Sequence, residues 1–216
     1  MNIAILIFDK FTALDAVGPY EVLSRLPGAE LRFVAKEAGP ARTDTGALTV
    51  VAERSLADTE PPDLFLIPGG EGNRPLMKDP EVLDWVRSAH EASTWTTSVC
   101  TGALVLGAAG ILDGVRATTH WAHRDVLADL GADVSSDRVV IDGKIATAAG
   151  VSSGIDMALT LIGEIAGPEA AQAMQLGIEY DPQPPFDAGS PEKAPPAIVE
   201  FVRNLERGDP ATAERP

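Results

Sequence analysis

Short apolar runs rich in β-branched residues alternate along this chain with longer segments in which apolar side chains return at helical spacing. The runs at 3–8, 31–35, 64–67, 95–99 and 145–148 predict strands. Between them the spacing predicts helices over 12–25, 80–91, 101–109, 121–130, 152–166 and 168–177. Such alternation is the mark of βα units around a mostly parallel sheet with helices on both faces, so the fold class is α/β. Segments 42–53 and 139–144 read as hairpins or edge strands, the second turning at Asp142-Gly143. Gly107-Ala108-Ala109-Gly110 supplies a glycine stop for the helix before it. From 181 onward the pattern changes. Pro182, Pro184, Pro185, Pro191, Pro195 and Pro196 predict an extended arm over 181–216, interrupted by a last helix at 197–207 and frayed from 208 to the end. Its length suits a single domain over 1–216.

An open parallel sheet binds ligands at the carboxyl ends of its strands. Four places in this chain follow that rule: Asp15 after the first strand, Gly69-Gly70 after the third, Cys100 after the fourth, and Gly150-Val151 after the fifth. They should converge on one crevice. Cys100 sits where an apolar strand gives way to a helix of small residues, and Ser98-Val99-Cys100-Thr101-Gly102 has the logic of a nucleophile elbow, in which small neighbours permit a sharp turn. Helix N–H groups facing the sulfur favour the thiolate. A lone cysteine is more often a small buried hydrophobe, but its place at the turn favours chemistry.

Asp15 stands among Leu14, Ala16 and Val17, so a buried carboxyl with a raised pKa is expected, able to exchange protons with a substrate. Glu21 is its rival on the same segment. Pro68-Gly69-Gly70 offers backbone N–H groups clear of side chains, as an anion or oxyanion site needs. Gly150 is similar, with Ser152 as a cap for the next helix. His120 and His123 are spaced to share a helix face, but no third metal ligand is spaced with them; His90 belongs on an exposed helix face.

Charge then narrows the partners. A formal net charge of −15 over 216 residues opposes binding to nucleic acid or to anionic membranes. One cysteine cannot form an internal disulfide, and the first eight residues lack the basic start of a signal peptide, so the expected location is cytoplasmic.

Taken together, Leu14-Asp15 with Gly18-Pro19, Ile67-Pro68-Gly69-Gly70, the Cys100 elbow running on to Gly110, Arg116-Ala117-Thr118-Thr119-His120-Trp121, Gly154-Ile155-Asp156, and Glu179-Tyr180 before Pro184-Pro185-Phe186 resemble the PfpI/ThiJ superfamily (class I glutamine amidotransferase-like) over nearly the whole chain. Thr after Cys, Asp in place of the Glu many relatives carry, and the Pro-Pro-Phe tail are similar to its isocyanide hydratase branch. The resemblance implies a flavodoxin-like homodimer that adds water to an isocyanide and gives an N-substituted formamide, without metal or organic cofactor. It implies Cys100 as nucleophile, Asp15 as general acid/base, Thr101 as a hydrogen-bonding residue near the acid, and backbone at Gly69, Gly70, Gly150 and Val151 lining the substrate pocket. The same superfamily contains glyoxalase III or deglycase-like detoxifying enzymes, and non-catalytic small-molecule or redox sensors, which are the alternative functions.

Overall fold

The apolar runs become the inner strands of one sheet. In the computed structural model, which describes residues 1–207, β1 (Asn2–Leu6) leads into α1 (Ala13–Leu23), then β2 (Glu30–Ala35), the hairpin of β3 (Gly39–Arg42) and β4 (Thr49–Ala52), and the short β5 (Arg54–Ser55). Next come β6 (Leu64–Ile67), the single turn α2 (Asn73–Leu76), α3 (Pro80–Ala92), β7 (Trp95–Val99) and α4 (Gly102–Ala108). β8 (Arg116–Ala117), a 3-10 turn at Trp121–His123, α5 (Arg124–Asp129), β9 (Asp133–Val134), β10 (Val139–Asp142), β11 (Ile145–Ala148), α6 (Ser153–Ala166) and α7 (Pro168–Gly177) follow. These elements belong to one compact unit, Met1–Ile178; a second unit begins at Glu179 and contains α8 (Pro196–Arg207).

Sheet order is β10-β11-β7-β6-β1-β2-β5, parallel at every pairing except β10 with β11. That is a flavodoxin-like arrangement. The chain lays β2 on one side of β1 and then reverses, adding β6, β7 and β11 on the other, so a crevice opens at the carboxyl ends of β1 and β6. Burial follows from this topology. β6 is buried at all four positions, β1 from Ile3 to Leu6, and β11 throughout, because helices cover both faces. Ile5, Leu6, Phe11, Phe65, Leu66 and Leu106 are fully enclosed, each side chain worth about 1.5–3 kcal/mol of hydrophobic burial.

Helix ends show how local chemistry sets position. The Asp79 side chain accepts from the N–H groups of Glu81 and Val82, and Pro80 occupies the first turn, which fixes where α3 starts. α4 is buried from Gly102 to Gly107, as a helix apolar on every side must be. At the crossing of α1 and α6, a side chain on Gly18 would come within 3.1 Å of Ile155, and one on Gly154 within 3.0 Å of Pro19 and 3.1 Å of Val99. The missing side chains let the two helices pack closely.

Several boundaries differ from the sequence reading. The 42–53 hairpin begins earlier, at Gly39, with Arg42 opposite Thr49. The 139–144 segment pairs with β11 and joins the main sheet as its antiparallel edge. The helix expected over 121–130 divides at His123, whose φ of −123° and ψ of 16° leave the helical region. β5, β8, β9 and α2 span two to four residues, too few for a periodic signal. The frayed end expected from 208 onward lies outside the described residues. Among the described residues no helix is long and apolar enough to cross a membrane.

Candidate active site

Cys100 follows β7 directly with φ at +58°, a left-handed conformation uncommon for a residue other than glycine. Strain of this kind persists only where the surroundings enforce it. Here they do: Cys100 N–H donates to the Ala148 carbonyl at 3.0 Å, and its own carbonyl accepts from the Thr119 hydroxyl at 2.8 Å. Gly150 closes the cage. It has φ at +95°, and any side chain there would lie 2.5 Å from Cys100 Cβ and 2.7 Å from Cys100 Cα, so only glycine fits. The Gly150 N–H in turn donates to the Ser153 hydroxyl. The side chain of Cys100 is 6 % exposed, a buried thiol on a turn with room made around it.

Asp15 comes from the first turns of α1 and is wholly buried. Its Oδ2 accepts from Gly69 N–H at 2.9 Å, while Oδ1 is buried with no hydrogen-bond partner. Burial pushes the pKa of this carboxyl up to about 7; bonds from Gly69 and Cys100 oppose the rise, and the Asp44 charge adds to it. Among the described residues no cation counters the charge, so near neutral pH the group stands poised between acid and base. Glu21, the rival carboxyl, instead pairs with Arg25 at the surface.

Thr101 follows the nucleophile and is 8 % exposed. Its hydroxyl accepts from Gly70 N–H at 3.0 Å and from Asn73 Nδ2 at 3.1 Å. The two N–H groups that the sequence offered to an anion are therefore engaged by Asp15 and Thr101, and the glycine turn works as a clasp for both side chains. Val151 lies half-buried beside Gly150 and packs on the core.

The structure thus brings Asp15, Gly69, Gly70, Cys100, Thr101 and Gly150 to one place at the sheet's carboxyl edge. The histidines play other parts. From the segment of His120, it is the Thr119 hydroxyl that reaches the Cys100 backbone. His120 is largely enclosed, its pKa pushed down by burial and by Arg124, and its ring lies 5.6 Å from that of Trp121. His90 is half-buried rather than exposed, because its Nδ1 lies 2.8 Å from the Thr96 hydroxyl under α3. Asn73, Thr119, Ser153 and Asp44 were not singled out from the sequence. Each lies in or next to a loop, where periodicity is silent; the closeness of Asn73 to Gly70 in sequence was the one available hint.

Comparison with known proteins agrees with the fold. Residues 1–164 match the model of the DJ-1/PfpI family. The chain is 47% identical over 203 residues to an isonitrile hydratase of Pseudomonas putida, covering 94% of this chain and 89% of that one. It is 31% identical over 169 residues to a helix-turn-helix-type transcriptional regulator of Pseudomonas aeruginosa, covering 76% of this chain and 49% of the regulator. Among solved structures, a THiJ/PfpI family protein from Pseudomonas syringae superimposes with a TM-score of 0.93 at 36% identity, covering 98% of this chain and 88% of its own.

Proposed function

Because the chain belongs to the DJ-1/PfpI family, and because a thiol and an uncompensated buried carboxyl meet at its strand ends, we propose that it is an isocyanide hydratase, converting R–N≡C and water to R–NH–CHO. The observation that carries the reading is the Asp15 carboxyl, with a pKa near 7, bonded to the side chain of Cys100. Nearly full-length identity of 47% to an isonitrile hydratase supports the same assignment.

In this reading Cys100 sulfur attacks the terminal carbon of the isocyanide. A C–S bond forms, Asp15 gives its proton to the same carbon, and the thiol proton returns to the carboxylate, leaving a thioimidate, R–N=CH–S–Cys100. Gly69 N–H already binds Oδ2. The acid proton of Asp15 therefore sits on Oδ1, which has no hydrogen-bond partner among the described residues. Water then adds to the thioimidate carbon as Asp15 gives its proton to nitrogen and takes one from the water, and collapse of R–NH–CH(OH)–S–Cys100 breaks the C–S bond, returns the hydroxyl proton to sulfur and releases the formamide. One water is consumed and no electrons are exchanged. The pocket backbone at Gly69, Gly70, Gly150 and Val151 lines the carbon's position, and Thr101 supports the acid.

The test is conversion of cyclohexyl isocyanide to N-cyclohexylformamide, followed by chromatography. Wild type should turn over and Cys100→Ala, still folded, should lose at least about 1,000-fold in rate. Intact mass after rapid quench should show wild type carrying the full mass of one isocyanide, since addition to the thiol expels nothing. Near-normal turnover in Cys100→Ala would end the proposal.

A further inference from the structure

Residues 116–121 take no part in the proposed reaction, yet the middle of this segment reaches the nucleophile. Thr118 N–H donates to Thr147 Oγ1 at 2.9 Å, and the Thr118 hydroxyl donates to the Ser135 carbonyl at 3.1 Å, so the segment is tied both to β11 and to the residue after β9. Thr119 is wholly buried, and its hydroxyl lies 2.8 Å from the Cys100 carbonyl oxygen. A carbonyl oxygen only accepts, so the hydroxyl donates. Ala148, next to Thr147 in β11, accepts from Cys100 N–H at 3.0 Å. Both main-chain groups of Cys100 are therefore anchored to the same strand, the N–H directly and the carbonyl through Thr118 and Thr119.

Leu104 N–H, the α4 donor spaced to meet the Cys100 carbonyl, goes instead to the Thr101 carbonyl at 3.0 Å. The bond from Thr119 is buried, and a buried acceptor deprived of its donor is costly. That carbonyl also belongs to a planar trans peptide, whose N–H, that of Thr101, points the opposite way. Holding the oxygen therefore fixes the whole plane. The plane borders the site: a substituent on Gly69 would lie 2.8 Å from Thr101 N, 2.8 Å from Cys100 Cβ and 2.7 Å from Asp15 Oδ2. Cys100 keeps a left-handed φ only while its surroundings outweigh the strain, and the Thr119 hydroxyl is a side-chain group among those surroundings. We infer that Thr119 is a positioning residue for the nucleophile: its hydroxyl, by donating to the Cys100 carbonyl, holds the left-handed turn that sets the sulfur beside Asp15. This rests on the reading of Cys100 as the nucleophile of the site.

The full-length protein has one thiol, which makes the test direct. The rate of Cys100 alkylation by iodoacetamide is measured in wild type, Thr119→Val, Thr119→Ser and Thr97→Val, each shown to be folded by circular dichroism. Thr97 is the control: wholly buried in β7, it donates its hydroxyl to the Phe65 carbonyl at the same 2.8 Å, toward β6 rather than Cys100. Both valine variants lose one buried hydrogen bond of the same kind, so a difference between them reports position rather than stability. Alkylation should slow by about tenfold or more in Thr119→Val, stay within about threefold of wild type in Thr119→Ser, which keeps the donor, and stay within about twofold in Thr97→Val. A Thr119→Val rate equal to or above that of wild type, a Thr119→Ser rate as low as that of Thr119→Val, or an equal loss in Thr97→Val would overturn the inference. If Thr119→Val fails to fold, Thr119→Ser and Thr119→Ala, which differ by the hydroxyl alone, make the same comparison, and equal rates in that pair would overturn it. Alkylation needs no turnover, so absence of isocyanide hydration in wild type would count against the proposed function and leave this test standing.

Discussion

The two ends of the central sheet carry similar groups and put them to opposite uses. At the amino ends of β1 and β2 a groove is lined by Glu30, Arg32, Arg54 and Glu60, and Arg32 pairs with Glu30 at 3.3 Å and with Glu53 at 3.5 Å. At the carboxyl ends, among the described residues, a single carboxylate, Asp15, is buried with no cation beside it. Water and counter-charges surround the first set, and such exposed pairs are worth at most about 1 kcal/mol each. At the other end burial pushes the Asp15 carboxyl up from its ordinary value to about 7. In the proposed reaction, reactivity would come from withheld solvation rather than from an unusual residue.

The comparison breaks most visibly by neutralising one acid at each end. Asp15→Asn should lower hydration of cyclohexyl isocyanide by about 100- to 10,000-fold, the range for loss of a general acid and base, whereas Glu30→Gln should leave it unchanged. Rates under substrate saturation would decide it. Equal losses in both variants would show that burial is not what matters.

Stability should respond in the reverse sense. A folded pKa raised above its unfolded value means the folded protein holds the proton more tightly, so Asp15 costs stability as pH rises from about 4 to about 7, and the full cost persists above that. Asp15→Asn removes the charge to be buried. Chemical denaturation at pH 8 should therefore find the variant more stable than wild type by on the order of a few kcal/mol, with the gain vanishing at pH 4. A variant less stable at both pH values would sink this account.

Gly150→Ala probes the cage around the thiol. With φ at +95° and Cys100 Cβ 2.5 Å from the new methyl, the backbone must shift. A stability loss of about 1–3 kcal/mol and at least about a tenfold drop in Cys100 alkylation rate are expected. The smallest effect belongs to the other end: Arg32→Ala should change stability by no more than about 0.5 kcal/mol and leave alkylation untouched, as thermal melts in high and low salt would show.

Residues legible in the sequence are those that topology alone carries to the crevice. Asp15, Gly69, Gly70, Cys100 and Gly150 each follow an inner strand, and a parallel sheet sends all such positions to one edge. The β-branched runs made those strands readable, and glycine at 107–110 made the end of α4 readable, as Gly110 with φ at +79° bears out. Asn73 and Thr119 were not readable for a different reason. Their roles depend on where a side chain meets a partner 28 or 19 residues away, a loop geometry that no spacing rule encodes. The direction of the Gly69 and Gly70 N–H groups was likewise invisible, because it depends on side chains from α1 and from the start of α4 arriving at the same turn.

The close crossing of α1 and α6 has a consequence beyond packing. Asp15 rides on one of these helices and Gly150 lies three residues before the other, so in the proposed reaction the thickness of that seam would gauge the gap between acid and sulfur. Gly18 and Gly154 act as its shims, and under that proposal a single methyl added at either would retune how far a proton has to travel.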